Sequence, residues 1–495
     1  MGLTDAERPA EWRAQLEQIV PILIRHEHAL LIVTVRSVLK DDVLPAEALS
    51  LELSLSDVEV GEIVTRYFEH YRIDPGSSRL PMGIFRIPLF VRLFCEAVNP
   101  AAERDVGVEA LPTSLVAVFE LYLQQTANRL RTRPGHPSLP GGHIERKLAR
   151  FARELWEQNA RDLPFERTKE LVDEAGVTWD HSLVRALEEE GLLFRDRRPD
   201  WPDDRDAILF DWFGGYLIAD AITRGLTMDR LEEELGSDAL WAKLRPSGNE
   251  RHPLGADVHI SLIGLIPRRF FGRQLWRFAP AETRDWTLIQ TVDLESALLD
   301  AETVAKLEQL VRRWSPPRFQ RRHPFDRLWE VRDGVDHQLN ARFLDRVLID
   351  MPVWGRDLRW TEWVRLRAAT ILADLDRLED RWLGSEVRDE GDDLNARAVA
   401  WLLTSTNLSL RDRATRALHR YGQTDPRRLF ALATPMLDVT DPYVTERLVA
   451  ASCGVATSHQ MPDPGGGFEK SLRTWLEEPS VAISDPRPRP QPRIS

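Results

Sequence analysis

No Gly-Lys-Ser or Gly-Lys-Thr occurs anywhere in the 495 residues. Only six of the basic residues are lysines (Lys40, Lys147, Lys169, Lys243, Lys306, Lys470), and each follows a residue other than glycine. A phosphate-gripping P-loop needs that ending, because backbone amides and the lysine together hold the phosphates. Cysteine is almost as scarce. Cys95 and Cys453 offer neither a disulfide framework nor a CxxC metal pattern, which suits a reducing compartment such as the cytoplasm. No apolar run approaches the roughly eighteen residues that a bilayer-spanning helix requires, so no membrane association is expected. The first residues, Met1-Gly-Leu-Thr-Asp-Ala6, carry no basic and apolar leader. Ala6 stands where a myristoylation motif at Gly2 would want Ser or Thr.

The chain does contain enough apolar sequence, 43% of residues, to bury the cores of roughly three domains. Its net charge is −13, which disfavours sequence-independent nucleic-acid binding except at a locally basic face. One such stretch runs from Arg312 through Arg318 and Arg321 to His323, with Trp314 and Phe319 interleaved. Backbone contact plus base stacking is one reading of it. A solvated basic loop between helical regions is the plainer one.

Near the start, Trp12, Leu16, Ile19, Val20 and Leu23 form a helical stripe. Leu30 to Val35 follows as a continuous apolar, β-branched run, predicting a strand buried on both faces of a parallel sheet. From about 56 to 131 the signals are helical. Ser56 and Glu59 make a capping-box pattern, and Pro88 suits the first position of a helix carrying Leu89, Phe90, Leu93 and Phe94. Residues 132–142 read as a loop.

Residues 143–226 follow a winged-helix order. Helical stripes at Ile144/Leu148/Phe151/Leu155, Thr168–Ala175 and Leu183/Leu187 precede two short strands around Leu192 and Ile208. The Asp196–Asp206 stretch would be the wing. The helix in the recognition position, Asp180 to Glu190, carries Glu188-Glu-Glu190, whereas base readout wants Arg, Lys, Asn or Gln. A packing module is therefore expected there, and a DNA-reading one is disfavoured. Beyond 226 the pattern is helical. Four striped helices at 395–403, 409–421, 426–436 and 442–455, with similar segments about 34 positions apart, fit a HEAT-like α-solenoid. From 457 the composition turns to Gly465-Gly-Gly and Asp485-Pro-Arg-Pro-Arg-Pro-Gln-Pro-Arg493, predicting a disordered tail with a polyproline II leaning.

Several of these landmarks occur in family order: Ala29 to Ser37, Ile87-Pro88 to Glu96, and Ile208-Leu-Phe-Asp-Trp-Phe-Gly-Gly-Tyr-Leu-Ile-Ala219. So do the longer segments from Asn340 to Trp363, Trp401 to Thr415, and Asp441 to Arg447. With them the chain resembles bacterial STAND-type (NACHT-like) P-loop NTPases of the antiviral sensor group over most of residues 1–456. The resemblance implies the C-terminal portion of such a protein. Its parts would be a remnant of the NTPase core (1–50), a helical lid (51–131), a winged-helix-like domain (143–226), a sensor-proximal helical region (227–390), HEAT-like repeats (391–456) and a tail (457–495). Met1-Gly2-Leu3-Thr4-Asp5 then looks like a Walker B end whose first acid is absent. Asp5 would be the second acid, which polarises the attacking water. Arg36 would follow the sensor-1 strand and meet the γ-phosphate. Pro88 would open the lid helix beside the adenine.

The same residues have plainer accounts: Arg36 as a charged strand end, Pro88 as an ordinary first-turn proline. Arg356-Asp357 and Arg411-Asp412 read as structural arginine–carboxylate pairs. His26-Glu27-His28 cannot present both histidines on one helical face, so no metal is expected. The Trp-rich stretch 354–363 reads as core, although exposed aromatics would suit protein recognition. The expectation is thus a mainly α chain that recognises a protein partner, a phage protein on the family's pattern, through its C-terminal helices. ATP and Mg²⁺ would be held, and homo-oligomers formed, only by an intact form. Hydrolysis by this chain alone is not expected. The alternatives are a non-enzymatic helical scaffold of decayed NTPase ancestry and a winged-helix DNA-binding regulator.

Overall fold

A computed structural model describes residues 8–459, apart from residues 24, 27, 29–30, 34–42, 46–56, 76–84, 86, 104, 108–113, 133–139, 197–202, 246–249 and 315–322. The described chain is mainly α-helical, with one two-stranded and one three-stranded sheet. Among the described residues no helix is long and apolar enough to cross a membrane.

Helix α1 (Arg8–Leu23) buries Leu16 but leaves Trp12, Ile19 and Ile22 exposed. The strand expected at 30–35 is corrected where it can be seen. Residues 31–33 are not in a strand, and Ile32 is 77% exposed. A β-branched run becomes a strand only when a neighbour accepts its backbone hydrogen bonds, and no described strand lies beside it.

Helices α2 (Asp57–His70), α3 (Pro88–Val98) and α4 (Leu115–Arg131) follow. Pro88 occupies the first turn of α3, where its missing N–H costs nothing, and Ile87 before it is extended as a pre-proline residue should be. Phe94 stacks on Phe68 at 5.7 Å and meets Phe85 edge-on at 5.0 Å, closing a small core between α2 and α3. Ser114 caps α4 by accepting from the Ala117 N–H. A short parallel ladder pairs Ile73 with Val106.

From 143 the order is α5 (His143–Glu157), strand Asp162–Pro164, α6 (Phe165–Val172), a 3₁₀ turn at Trp179–His181, α7 (Leu183–Glu189), strands Leu193–Asp196 and Arg205–Ile208, then α8 (Asp211–Arg224). The last strand lies in the middle and is antiparallel to both others. Asp173 ties the helices together, accepting from the N–H groups of Leu183 and Val184 at 2.6 and 3.1 Å. Helices α9 (Met228–Leu235) and α10 (Asp238–Leu244) lead to α11 (Gly255–Arg269), which packs along α8. That crossing is close because Gly215 has no side chain: a Cβ there would lie 2.5 Å from Asp257.

The remaining helices are α12 (Ala281–Gln290), α13 (Ala301–Arg313), α14 (Pro324–Glu330), α15 (Ala341–Ile349), α16 (Val353–Arg356), α17 (Glu362–Leu366), α18 (Ala368–Gly384), α19 (Glu390–Trp401), α20 (Leu408–Thr424), α21 (Pro426–Met436) and α22 (Pro442–Ser458). A π turn at Asp357–Thr361 joins α16 to α17. Four buried tryptophans here share one solution to a single problem. The indole N–H of Trp329 donates to Asp374 (2.7 Å), that of Trp363 to Asp326 (2.9 Å), that of Trp382 to Asp392 (2.9 Å) and that of Trp401 to Asp345. Each aspartate also pairs with an arginine: Arg377, Arg367, Arg381 and Arg397 respectively. A buried indole needs an acceptor and a buried carboxylate needs a cation, so the three groups satisfy one another.

Candidate partner-docking cleft

Of the three residues expected at a nucleotide site, Asp5 and Arg36 lie outside the described residues. Pro88 is placed, exposed, at the start of α3. A concave surface lies elsewhere, between the α16–α17 segment and the start of α22. It is a cleft of about 400 Å³.

One wall is a single stripe of Val353, Asp357, Thr361 and Arg365, with Glu362 beside it. In a pure α-helix residues four apart drift by about 40° per step. The wider π turn takes out part of that drift and holds the four side chains in line. The opposite wall comes from Thr404 and Thr406 after α19 and from Thr440, Asp441, Pro442 and Tyr443. Asp441 caps α22 by accepting from the Tyr443 N–H at 3.0 Å, and Pro442 fills the first helical position.

The walls are tied by arginines that were expected to pair with carboxylates. Both are structural, but they use carbonyls and rings instead. Arg356 is 1% exposed. It donates to the Leu348 carbonyl (3.2 Å) and the Thr440 hydroxyl (3.1 Å) and lies 5.6 Å from the Trp401 ring. Arg411 donates to the Ser405 carbonyl at 2.5 Å and stacks on Tyr443 at 4.2 Å. Asp412 pairs with Arg447 on the neighbouring helix at 2.6 Å. Guanidinium groups with several donors suit the carbonyls freed where helices end, which a sequence pair cannot reveal.

Carboxylates dominate the cleft. Glu362 is matched by Arg365 through bonds of 2.6 and 2.8 Å, and these hold its carboxyl below the usual range. Burial pushes the Asp441 carboxyl up, while its bond from the Tyr443 N–H and the charge of Arg356 pull the other way. Asp357 is exposed on the same stripe. The Thr361 hydroxyl is buried without a hydrogen-bond partner. Tyr443, which lines the cleft from α22, is 45% exposed, and Trp354 and Leu358, on the helical segment of the opposite wall but outside the lining itself, are 64% and 69% exposed. The Trp-rich stretch thus divides: Trp360 and Trp363 are core, whereas Trp354 faces outward.

A second cleft of about 450 Å³ lies between α5, the end of α8, α9 and α10. Its cations are already engaged. Arg153 donates to the Ala221 carbonyl, Lys243 to the Trp156 carbonyl, and Arg230 pairs with Glu234. The charges on and around α7 are equally occupied. Arg185 pairs with Asp180 (2.5 Å) and Glu189 (2.9 Å), and Glu188 pairs with Arg195, which also sits 3.6 Å from the Phe165 ring. The basic stretch 312–323 falls largely outside the described residues, but Arg312 bridges Glu308 and Asp350. Among the described residues no group of three His, Cys, Asp or Glu side chains is placed to hold a metal ion, at His26 and His28 or elsewhere.

No family model, curated protein or solved structure matches the chain. Sequence reasoning missed the cleft because its walls come from segments up to 90 positions apart. The signal that could have pointed to it was Trp354 and Leu358 standing four apart on the face away from Trp360 and Trp363.

Proposed function

We propose that this chain is the regulatory and partner-recognising portion of a STAND-type, NACHT-like signalling protein of bacterial antiphage defence, and that the 353–443 cleft is where a protein partner docks. The family assignment is supported by the sequence landmarks from Ala29 to Arg447. The docking assignment is carried by one observation: half-exposed Tyr443 lines a cleft whose walls are fixed by buried arginines, and exposed Trp354 and Leu358 stand on the helical segment that forms one of those walls. Rigid, half-exposed aromatics around a pocket are what protein interfaces use as anchors. A phage protein is the partner class the resemblance implies. In this reading the 143–226 unit is a winged-helix-like packing module, 391–456 are HEAT-like repeats, and nucleotide and Mg²⁺ belong to an intact form that oligomerises. The chain itself does not hydrolyse ATP. The internally paired charges of α7 favour this over a DNA-reading role.

A photo-reactive phenylalanine analogue placed in cells at 354 or at 443, with 233 on α9 as a control, tests the docking assignment. Discrete adducts from the first two positions and none from 233 are expected. Adducts of equal yield at all three positions would sink it. Trp354→Ala should remove the adduct formed from 443 without lowering the yield of folded protein.

A further inference from the structure

We propose that the cleft is occupied in cis by this chain's own Asp485-Pro-Arg-Pro-Arg-Pro-Gln-Pro-Arg493 segment, which a docking partner must displace. The inference depends on the reading of the cleft as a docking site and adds its regulation.

Three properties of the cleft match that segment. The first is charge. The segment carries Arg487, Arg489 and Arg493, while Asp357 and Asp441 line a cleft in which Arg365 is already held by Glu362. The second is shape. Alternating prolines favour polyproline II, which docks on grooves lined by aromatic rings and needs little ordering on binding. Tyr443 and Pro442 provide such a lining, with Trp354 on the adjoining helical segment. The third is hydrogen bonding. A segment with proline at every second position offers carbonyls but few N–H groups. It therefore calls for donors, and the buried, unpartnered Thr361 hydroxyl is one.

The reach is ample. Helix α22 starts at the cleft and its 17 residues carry the chain about 25 Å away. The residues between 459 and 485 span roughly 80 Å when extended, so the segment can return with slack. Tethering also answers why a short peptide would stay bound. A segment joined by such a linker experiences an effective concentration on the order of a millimolar, enough to hold a weak ligand in place.

The test uses the full chain and a labelled synthetic peptide of residues 483–495. Wild type should bind the added peptide at least tenfold more weakly than the R487E/R489E/R493E chain, in which the tethered competitor is disabled. Adding Asp357→Asn and Asp441→Asn to that variant should abolish binding; asparagine at 441 still caps α22. A photo-reactive group at 443 in monomeric wild type should give an adduct within 485–493 of the same chain. Peptide binding of equal strength to wild type and the triple variant, or to neither, would overturn the inference, as would adducts joining two chains. Partner adducts at 354 that persist while no tail adduct forms would overturn this inference and leave the docking site standing. Absence of any adduct from 354 and 443 in the tail-disabled variant as well would overturn both.

Discussion

Replacing Asp206 with asparagine should stabilise the 143–224 unit at neutral pH, although it removes one partner of an ion pair. Asp206 is fully buried on the central strand, with one carboxylate oxygen lacking any hydrogen bond. It shares Arg195 with Glu188, at 3.3 and 2.7 Å respectively. Two carboxylates around one guanidinium leave a net negative charge, and the Asp206 carboxylate carries its share without access to water. Burial accordingly raises the Asp206 carboxyl to about 6, with Arg195 opposing and Glu188 adding to the rise. A carboxyl whose folded value lies above its unfolded one binds its proton more tightly in the folded state. Its contribution is fully present below the ordinary aspartate range, near pH 4, and is lost as pH rises through about 6. A shift of that size corresponds to about 3 kcal/mol at most. The asparagine of Asp206→Asn would keep the shape, leave the Arg195–Glu188 pair intact and remove the excess charge. Amide hydrogen exchange in the strands at 193–196 and 205–208, compared between variant and wild type at the same pH, reads the difference. At pH 7.5 the variant should exchange ten- to a hundredfold more slowly, and at pH 4 the two should converge. An equally large destabilisation at both pH values would refute the reasoning, because it would mean that the Arg195 pair outweighs the burial cost.

Asp326 is the opposite case. Burial opposes its charge, but bonds from Arg367 and the Trp363 indole outweigh that and hold its carboxyl down at about 2. Its stabilisation is therefore present above about pH 4 and lost as pH falls towards 2. Asp326→Ala should cost roughly 3 kcal/mol at pH 7 by leaving Arg367 and the indole unpaired, measured by urea denaturation. A cost under 1 kcal/mol would show that water satisfies both groups. Gly215→Ala would place a methyl 2.5 Å from Asp257 and should cost about 1–3 kcal/mol through a forced shift of α8 against α11; an unchanged melting temperature would show that the helices can part freely. Purified full chain should release phosphate from Mg·ATP only at the no-protein rate, because no Gly-Lys-Ser or Gly-Lys-Thr occurs in the sequence to grip the phosphates; turnover above that background would refute the reasoning.

What could be read from the sequence follows from how local each signal is. The helices at 143–157, 408–424, 426–436 and 442–458 announce themselves through apolar stripes and through Asn407, Asp425 and Asp441 as caps, all within one or two turns. Pro88 is legible for the same reason. The strand at 162–164 is not, because three residues ending in proline show no alternation. Residues 31–33 mislead in the other sense: their composition favours a strand, but pairing decides whether one forms. Arg356 and Arg411 were identifiable as structural, yet their partners, carbonyls and rings supplied by distant segments, exist only in three dimensions. The cleft was illegible on the same ground. Its carboxylates and its exposed Tyr443 belong to two walls that the chain visits some 90 positions apart.

The tryptophan–aspartate–arginine sets also give the molecule an optical signature. Trp329, Trp360 and Trp363 are buried with ring centres 5.0 to 6.4 Å apart. Indoles that close share their electronic transitions, so this trio should produce an exciton couplet in circular dichroism whose amplitude depends on the rings staying fixed. Asp374 and Asp326 clamp two of them by their N–H groups, so breaking either clamp would dim the couplet. Trp354, exposed on the outer face of its helical segment, contributes red-shifted, quenchable emission instead, together with the exposed Trp12 and Trp179. The couplet therefore reports the packing of the interior separately from the emission of the surface indoles.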